Sequence, residues 1–144
     1  MLTGIACRGS KVWVRMKKIA TERPVVLVVE DDFLIRIGAV EMIGQGGFDV
    51  IEAANADEAI AILQIRLDIT VVFTDIQIPG SMDGLRLATA IRGRWPPIKI
   101  VATSGLVDVR KTDLPEGGRF LPKPYSSAEI VGTLRELTGA ELRA

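Results

Sequence analysis

The sequence predicts an α/β fold, a five-stranded parallel sheet with helices on both faces. Two observations predict it. Short runs of β-branched and other apolar residues alternate with amphipathic, helix-forming stretches from residue 24 onward. Acidic, hydroxyl and amine side chains gather where the runs end, which is where open parallel sheets place their ligand chemistry. The stretch "VVFTDIQIPG", residues 71–80, is the sharpest case. Its apolar run closes on Thr74 and Asp75 before Pro79 and Gly80 stop regular structure. A carboxylate at the end of a buried strand is destabilising unless it is paired or metal-bound.

The elements follow in order. "PVVLVVE" (24–30) is a continuous β-branched run, the first strand. In "DDFLIRIGAVEMIGQGG", Phe33, Ile37, Val40 and Ile43 repeat at helical spacing, and Gly46-Gly47 close the helix. "FDVIEA" (48–53) alternates as a strand, and "ADEAIAILQIR" (56–66) is a helix rich in good formers. "ITVVFT" (69–74) is the third strand and "DGLRLATAIRGRW" (83–95) the third helix. After Pro96-Pro97, "IKIVATSG" (98–105) supplies the fourth strand and a loop. "RFLPKPY" (119–125) holds a short fifth strand, and "SSAEIVGTLREL" (126–137) is the last helix, with Ser126 and Glu129 spaced as a capping box. Between them, Pro115 and Gly117-Gly118 leave residues 105–118 room for only about two helical turns. The fourth helix is therefore expected to be short or irregular. No internal repeat, low-complexity tract or linker divides the chain, so one domain is expected.

Composition narrows the function. The chain has 144 residues, 48% apolar and 25% charged, which suits one domain with a hydrophobic core. Lys plus Arg and Asp plus Glu are 18 each, a balance that argues against nucleic-acid binding through bulk positive charge. One cysteine, Cys7, excludes an internal disulfide framework and fits a reducing, cytoplasmic compartment. No histidine is present, so histidine catalysis and histidine metal ligation are ruled out and any metal site must be built from oxygen. No apolar stretch approaches the length of a membrane span. Residues 1–23 carry six basic residues and one acidic residue and lack a secretory pattern; they read as a flexible extension, or as an overlong start with Met16 as the initiator.

The strand ends bring Glu30, Asp31 and Asp32, then Asp75, then Thr103 and Ser104, then Lys123 to one rim. Converging carboxylates repel, and the usual remedy is a hard divalent cation held by oxygens. Mg²⁺ takes one or two carboxylates plus phosphate oxygens, a demand that Glu30, Asp31 and Asp75 match. A carboxylate is also a phosphoryl acceptor. Phosphoryl transfer needs in-line positioning and neutralised charge, for which Lys123 is a compact cation and Thr103 a hydrogen-bond donor. Taken singly, Asp31 or Asp32 reads as a helix N-cap, Thr103 as an ordinary strand-end residue, and Lys123 between two prolines as a solvated loop lysine. Their joint occurrence in this order favours the chemistry.

Over roughly residues 24–138 the sequence resembles a bacterial response-regulator receiver domain of two-component signalling. The motifs are "LVVEDDFLIR", "VVFTDIQIPGSMDG", "IVATSG" and "FLPKPY". The resemblance implies a flavodoxin-like sheet of order 2-1-3-4-5, with residues 139–144 a C-terminal tail. It implies that Asp75 accepts a phosphoryl group from a histidine kinase or histidine phosphotransfer protein, in a reaction dependent on Mg²⁺ (or Mn²⁺ in its place). Registering the first motif on Arg36 puts the family's acidic pair on Glu30 and Asp31. By the same carry-over Asp31 and Asp75 ligate the metal, Glu30 acts mainly through water, and Gln77 lends its backbone carbonyl. Thr103 and Lys123 would contact phosphoryl oxygens, Phe120 falls at the switch-aromatic position, and Lys123-Pro124 would be a cis peptide. The expected product is a signalling switch that changes the binding of a downstream protein, not a turnover enzyme, with neither nucleic acid nor membrane as partner.

Two departures stand out. "PGSMDG" has two residues, Gly80 and Ser81, between the proline and Met-Asp-Gly where the family commonly has one, which lengthens the loop beside the acceptor. The shortened segment 105–118 puts the family's usual signalling face in question. Only "TGAELRA" follows the last helix, so a stand-alone receiver is expected. Three rivals compete. A phosphorylation-independent receiver-like interaction domain keeps the fold without the chemistry. A Mg²⁺-dependent aspartyl phosphohydrolase lacks its usual second acid, because position 77 is Gln. A nucleotide- or flavin-binding module would need a glycine- or hydroxyl-rich phosphate loop where this chain has "EDDF".

Overall fold

The computed structural model describes residues 23–105 and 113–139. Five strands, β1 (Val25–Val29), β2 (Asp49–Ala53), β3 (Ile69–Asp75), β4 (Lys99–Ser104) and β5 (Arg119–Pro122), form one sheet. Four helices accompany them among the described residues: α1 (Phe33–Gln45), α2 (Ala56–Ile65), α3 (Gly84–Arg94) and α4 (Ser127–Thr138). The strand order is β2-β1-β3-β4-β5 and every pairing is parallel, the flavodoxin-like arrangement that the sequence predicts. Residues 106–112, where most of the short fourth helix was expected, lie outside the described residues, as do residues 1–22 and 140–144.

Parallel strands covered on both faces must be apolar throughout, and all five residues of β1 are buried. Alternate residues then serve different cores. Val25, Leu27 and Val29 pack with Val72, Ile100, Ala59, Leu63, Leu87 and Ile91 on the α2/α3 face. Val26 and Val28 pack with Phe73, Val101, Leu121, Ala39, Ile43, Ile130 and Leu134 on the α1/α4 face. A smaller cluster, Ile76, Ala102 and Leu114 with the partly buried Leu85 and Phe120, lies apart from both.

The helix ends explain the boundaries. Asp32 caps α1 by accepting from the Leu34 and Ile35 amides, Asn55 caps α2, Asp83 caps α3, and Ser126 with Glu129 forms the expected capping box of α4. Gly139, at φ 71°, ends α4 in the left-handed conformation that glycine adopts without strain. In α1 the apolar spacing does not mark the buried face. Ala39 and Ile43 are buried, whereas Phe33 is 60% exposed and Ile37 44%. The helix is apolar nearly all round, so periodicity alone could not choose which side turns inward.

Candidate functional site

The strands' period of two builds the site. Val28, Phe73, Val101 and Leu121 point into the core on the α1/α4 face. Two residues further along each chain stand Glu30, Asp75, Thr103 and Lys123. Side chains two apart share a face. Four strands that bury apolar groups in one layer therefore deliver two carboxylates, a hydroxyl and an amine to the carboxyl edge of that layer. β1 and β3 are neighbours, and Asp75 is in register with Thr103 across β3 and β4.

Lys123 Nζ donates to Glu30 Oε1 and to Asp75 Oδ2, each at 3.0 Å. Both acids are buried. Asp31, the next residue after Glu30, is exposed, and an oxygen of each of Glu30, Asp31 and Asp75 falls within 4.8 Å of the other two. Asp32 is spent on the helix cap, which separates the two consecutive aspartates by role: one caps α1, the other joins the carboxylate group.

Each acid is held. Glu30 Oε2 accepts from the Asp32 amide (3.2 Å), and Asp75 Oδ1 accepts from the Gln77 amide (3.2 Å). The Ile76 amide bonds the Thr103 carbonyl and the Lys123 amide bonds the Ser104 carbonyl, so the loops leaving β3 and β5 stay tied to β4. The Lys123–Pro124 peptide is cis. Gly84 opens α3 against the back of Asp75: its amide bonds the Ile76 carbonyl, and a Cβ there would overlap the Asp75 carbonyl oxygen. Ser104 Oγ donates to Gln77 Oε1 (3.2 Å) beside the site. Ser81, in the lengthened loop, donates to Asp57 Oδ1 (2.7 Å) in the first turn of α2, and Gly80 takes φ 111°.

The electrostatics follow from burial and proximity. Desolvation pushes the Glu30 carboxyl up, only partly offset by the Lys123 hydrogen bond. Burial pulls the Lys123 ammonium down, but its bonds to Asp75 and Glu30 outweigh that and leave it raised. Tyr125, stacked edge-on against Phe73 at 5.5 Å, is raised mainly by burial. Thr103 Oγ1 is buried without a hydrogen-bond partner. A buried hydroxyl in that state is destabilising unless it gains a partner.

This donor set suits a hard divalent cation. Three carboxylates within reach of one another, with no histidine or thiolate, are oxygen ligands of the kind Mg²⁺ and Mn²⁺ accept. The structure brings together Glu30, Asp31, Asp75 and Lys123, with Thr103 in register beside Asp75 and Gln77 attached to it by its amide. Phe120, half-buried, sits in the small cluster one layer away.

A parallel sheet of this order with an acidic notch and an opposing lysine at its carboxyl edge defines a receiver-type scaffold. The chain belongs to the response regulator receiver domain family, which matches residues 26–135. It is 34% identical over 116 residues to the sensor kinase CckA of Brucella abortus, covering 78% of this chain and 12% of that protein. It is 28% identical over 115 residues to protein PilG of Pseudomonas aeruginosa, covering 76% of this chain and 84% of that one. The chain spans between 12% and 26% of the length of the first four curated relatives. Among solved structures, a response regulator receiver protein from Sinorhizobium medicae superposes with a TM-score of 0.76 at 25% identity, covering 85% of this chain and 98% of that one. The receiver domain of the hybrid histidine kinase CckA gives 0.66 at 27% identity, covering 78% and 97%.

Sequence reasoning missed Arg36, Gly84 and the Ser104–Gln77 bond as parts of the site. Arg36 donates to the Glu30 carbonyl (2.8 Å) and to Glu52 (3.0 Å). The spacing of Arg36 after the acidic run and the Asp83-Gly84 pair were the available signals.

Proposed function

We propose that this chain is a phosphoacceptor switch in which Asp75 takes a phosphoryl group from a phosphohistidine of a histidine kinase or phosphotransfer protein, with residues 24–138 as the working unit. The observation that carries the reading is Lys123 bridging Glu30 and Asp75, with Asp31 completing the acidic group. Glu30, Asp31 and Asp75, with the Gln77 carbonyl, would hold Mg²⁺. When bound, the ion neutralises charge on the phosphoryl oxygens and on the acids themselves.

The chain's own residues do the rest. An Asp75 carboxylate oxygen attacks phosphorus as the P–N bond breaks, and the electron pair returns to the donor's imidazole, which takes up a proton. Lys123 is within reach of Asp75 and balances charge on an equatorial oxygen. Thr103 Oγ1 gains the partner it lacks by donating to another. Thr103 and Phe120 lie on adjacent, paired strands, Ala102 being in register with Phe120. Movement of Thr103 is thereby passed to Phe120 and the small cluster, altering the surface that a downstream protein meets.

The acid notch has an apolar approach. Phe33, Leu34, Ile35 and Ile37 expose their side chains on α1, and a groove of about 420 Å³ between Ile35, Gly38, Met42, Pro124 and Tyr125 runs up to Lys123. An exposed apolar patch of this kind marks a protein interface, and here it is the docking face for the phosphoryl donor. The chain acts as a switch and not as a turnover enzyme.

The test is incubation with Mg²⁺ and acetyl phosphate, read by intact mass, together with Mg²⁺-dependent binding of beryllofluoride. Wild type should gain one phosphoryl group and Asp75→Asn none. Labelling that persists in Asp75→Asn removes the assignment.

A further inference from the structure

Glu30 is anchored at every polar atom. Its amide bonds the Ala53 carbonyl of β2, Oε1 accepts from Lys123, Oε2 accepts from the Asp32 amide, and its carbonyl accepts from Arg36 Nη1 at 2.8 Å. Asp31 is the opposite case. It is exposed, and its carboxylate makes no hydrogen bond or ion pair among the described residues. The direction of the Asp31 side chain is therefore set by its backbone alone.

The carbonyl of Glu30 belongs to the peptide that joins Glu30 to Asp31. A peptide is planar, so fixing that oxygen fixes the plane and the position of the Asp31 Cα; the next peptide is held by the Asp32 amide on Glu30 Oε2, and the two planes together set where the Asp31 Cβ points. Arg36 fixes it. Its side chain is only 16% exposed, its Nε is held at 3.0 Å by Glu52 Oε1 on β2, and its guanidinium lies 5.5 Å from the Phe33 ring centroid. Glu52 neutralises the guanidinium, so that it does not act as a free cation competing beside the acids. The planar fork also serves two acceptors at once, which an ammonium on a flexible stem does not do in this geometry.

We propose that Arg36 is a positioning residue for the metal-binding acids: through the Glu30–Asp31 peptide it aims Asp31 at the notch shared with Glu30 and Asp75. It touches neither metal nor phosphate. The inference rests on the proposed function, because it concerns the same cation site. Groups of this outer kind orient ligands and tune metal affinity by about tenfold or more.

The test compares wild type, Arg36→Gln, Arg36→Lys and Glu52→Gln. Mg²⁺ affinity is measured by calorimetry well below each melting temperature, and amide exchange is measured at Asp32, whose amide is bonded to Glu30 Oε2. Arg36→Gln should weaken Mg²⁺ by about tenfold and raise exchange at that amide. Glu52→Gln, which keeps the carbonyl bond, should change affinity far less. A purely structural ion pair would lower the melting temperature in Arg36→Gln and Glu52→Gln alike and leave Mg²⁺ affinity unchanged, and that result overturns the proposal. If Arg36→Gln does not fold, Arg36→Lys decides: retained charge with wild-type affinity and exchange refutes the positioning role, and weakened affinity supports it. If wild type takes up no Mg²⁺, the functional reading falls separately, and wild-type amide protection in the Arg36 variants still refutes the positioning role.

Discussion

Thr103 stands opposite Asp75 on the neighbouring strand, its hydroxyl buried and unpaired while its carbonyl bonds the amide of Ile76. The backbone of Thr103 thus serves the resting fold, and its side chain does not. Thr103→Val keeps the shape and removes the unsatisfied hydroxyl. Chemical denaturation should show unchanged stability or a gain of up to about 1 kcal/mol. Beryllofluoride affinity should fall by about tenfold, the loss of one hydrogen bond to a charged group. A variant that is both destabilised and fully competent for the mimic would contradict this division.

Lys123 is the counter-charge for two buried acids. Removing it in Lys123→Met leaves Glu30 and Asp75 facing each other, and breaking a buried pair in this way costs about 3 kcal/mol. Divalent cation should restore much of the loss, because it replaces the missing charge. Urea melts with and without Mg²⁺ check both halves, and a metal-independent deficit would count against the notch as a cation site.

The shifted groups set a pH signature. Glu30, raised by burial, binds protons more readily folded than unfolded, so its contribution falls as pH climbs from the unfolded value of 4.5 through the higher folded one. Glu30→Gln should flatten the metal-free stability profile in that window. Lys123 is also raised, so its contribution is complete below the unfolded value of 10.5 and is lost as pH rises through the folded value. Melting curves across both limbs, compared with Lys123→Met for the alkaline one, test the assignment.

Gly84 is required by contact and not by dihedral. A Cβ would overlap the Asp75 carbonyl and lie 2.7 Å from the Ile76 Cα, both backbone atoms that cannot swing away. Gly84→Ala should destabilise by about 2 kcal/mol, the scale of an overpacked site. It should also disturb the Asp75 and Ile76 amide resonances ahead of any others.

Much of this was legible before any coordinates. Continuous β-branched runs announced buried parallel strands, and the acids, threonine and lysine at their ends fell together because strand periodicity is strict. Asp32 and Ser126 capped helices as their types predict. What stayed hidden depends on contacts between distant segments. The inward side of α1 is chosen by packing, since Phe33 and Ile37 are as apolar as Ile43. The bond from Ser104 to Gln77 joins residues 27 apart, and Arg36 reaches across to β2, neither visible in a local pattern.

The small cluster of Ile76, Ala102 and Leu114 with Leu85 and Phe120 is separate from the two layers that hold the sheet. Among the described residues it is the smallest of the three clusters, so reshaping it leaves the two larger layers sealed. On the proposed function, a signal arriving at Asp75 is expressed as a local rearrangement of this cluster, with the global melting temperature nearly indifferent to which arrangement is occupied.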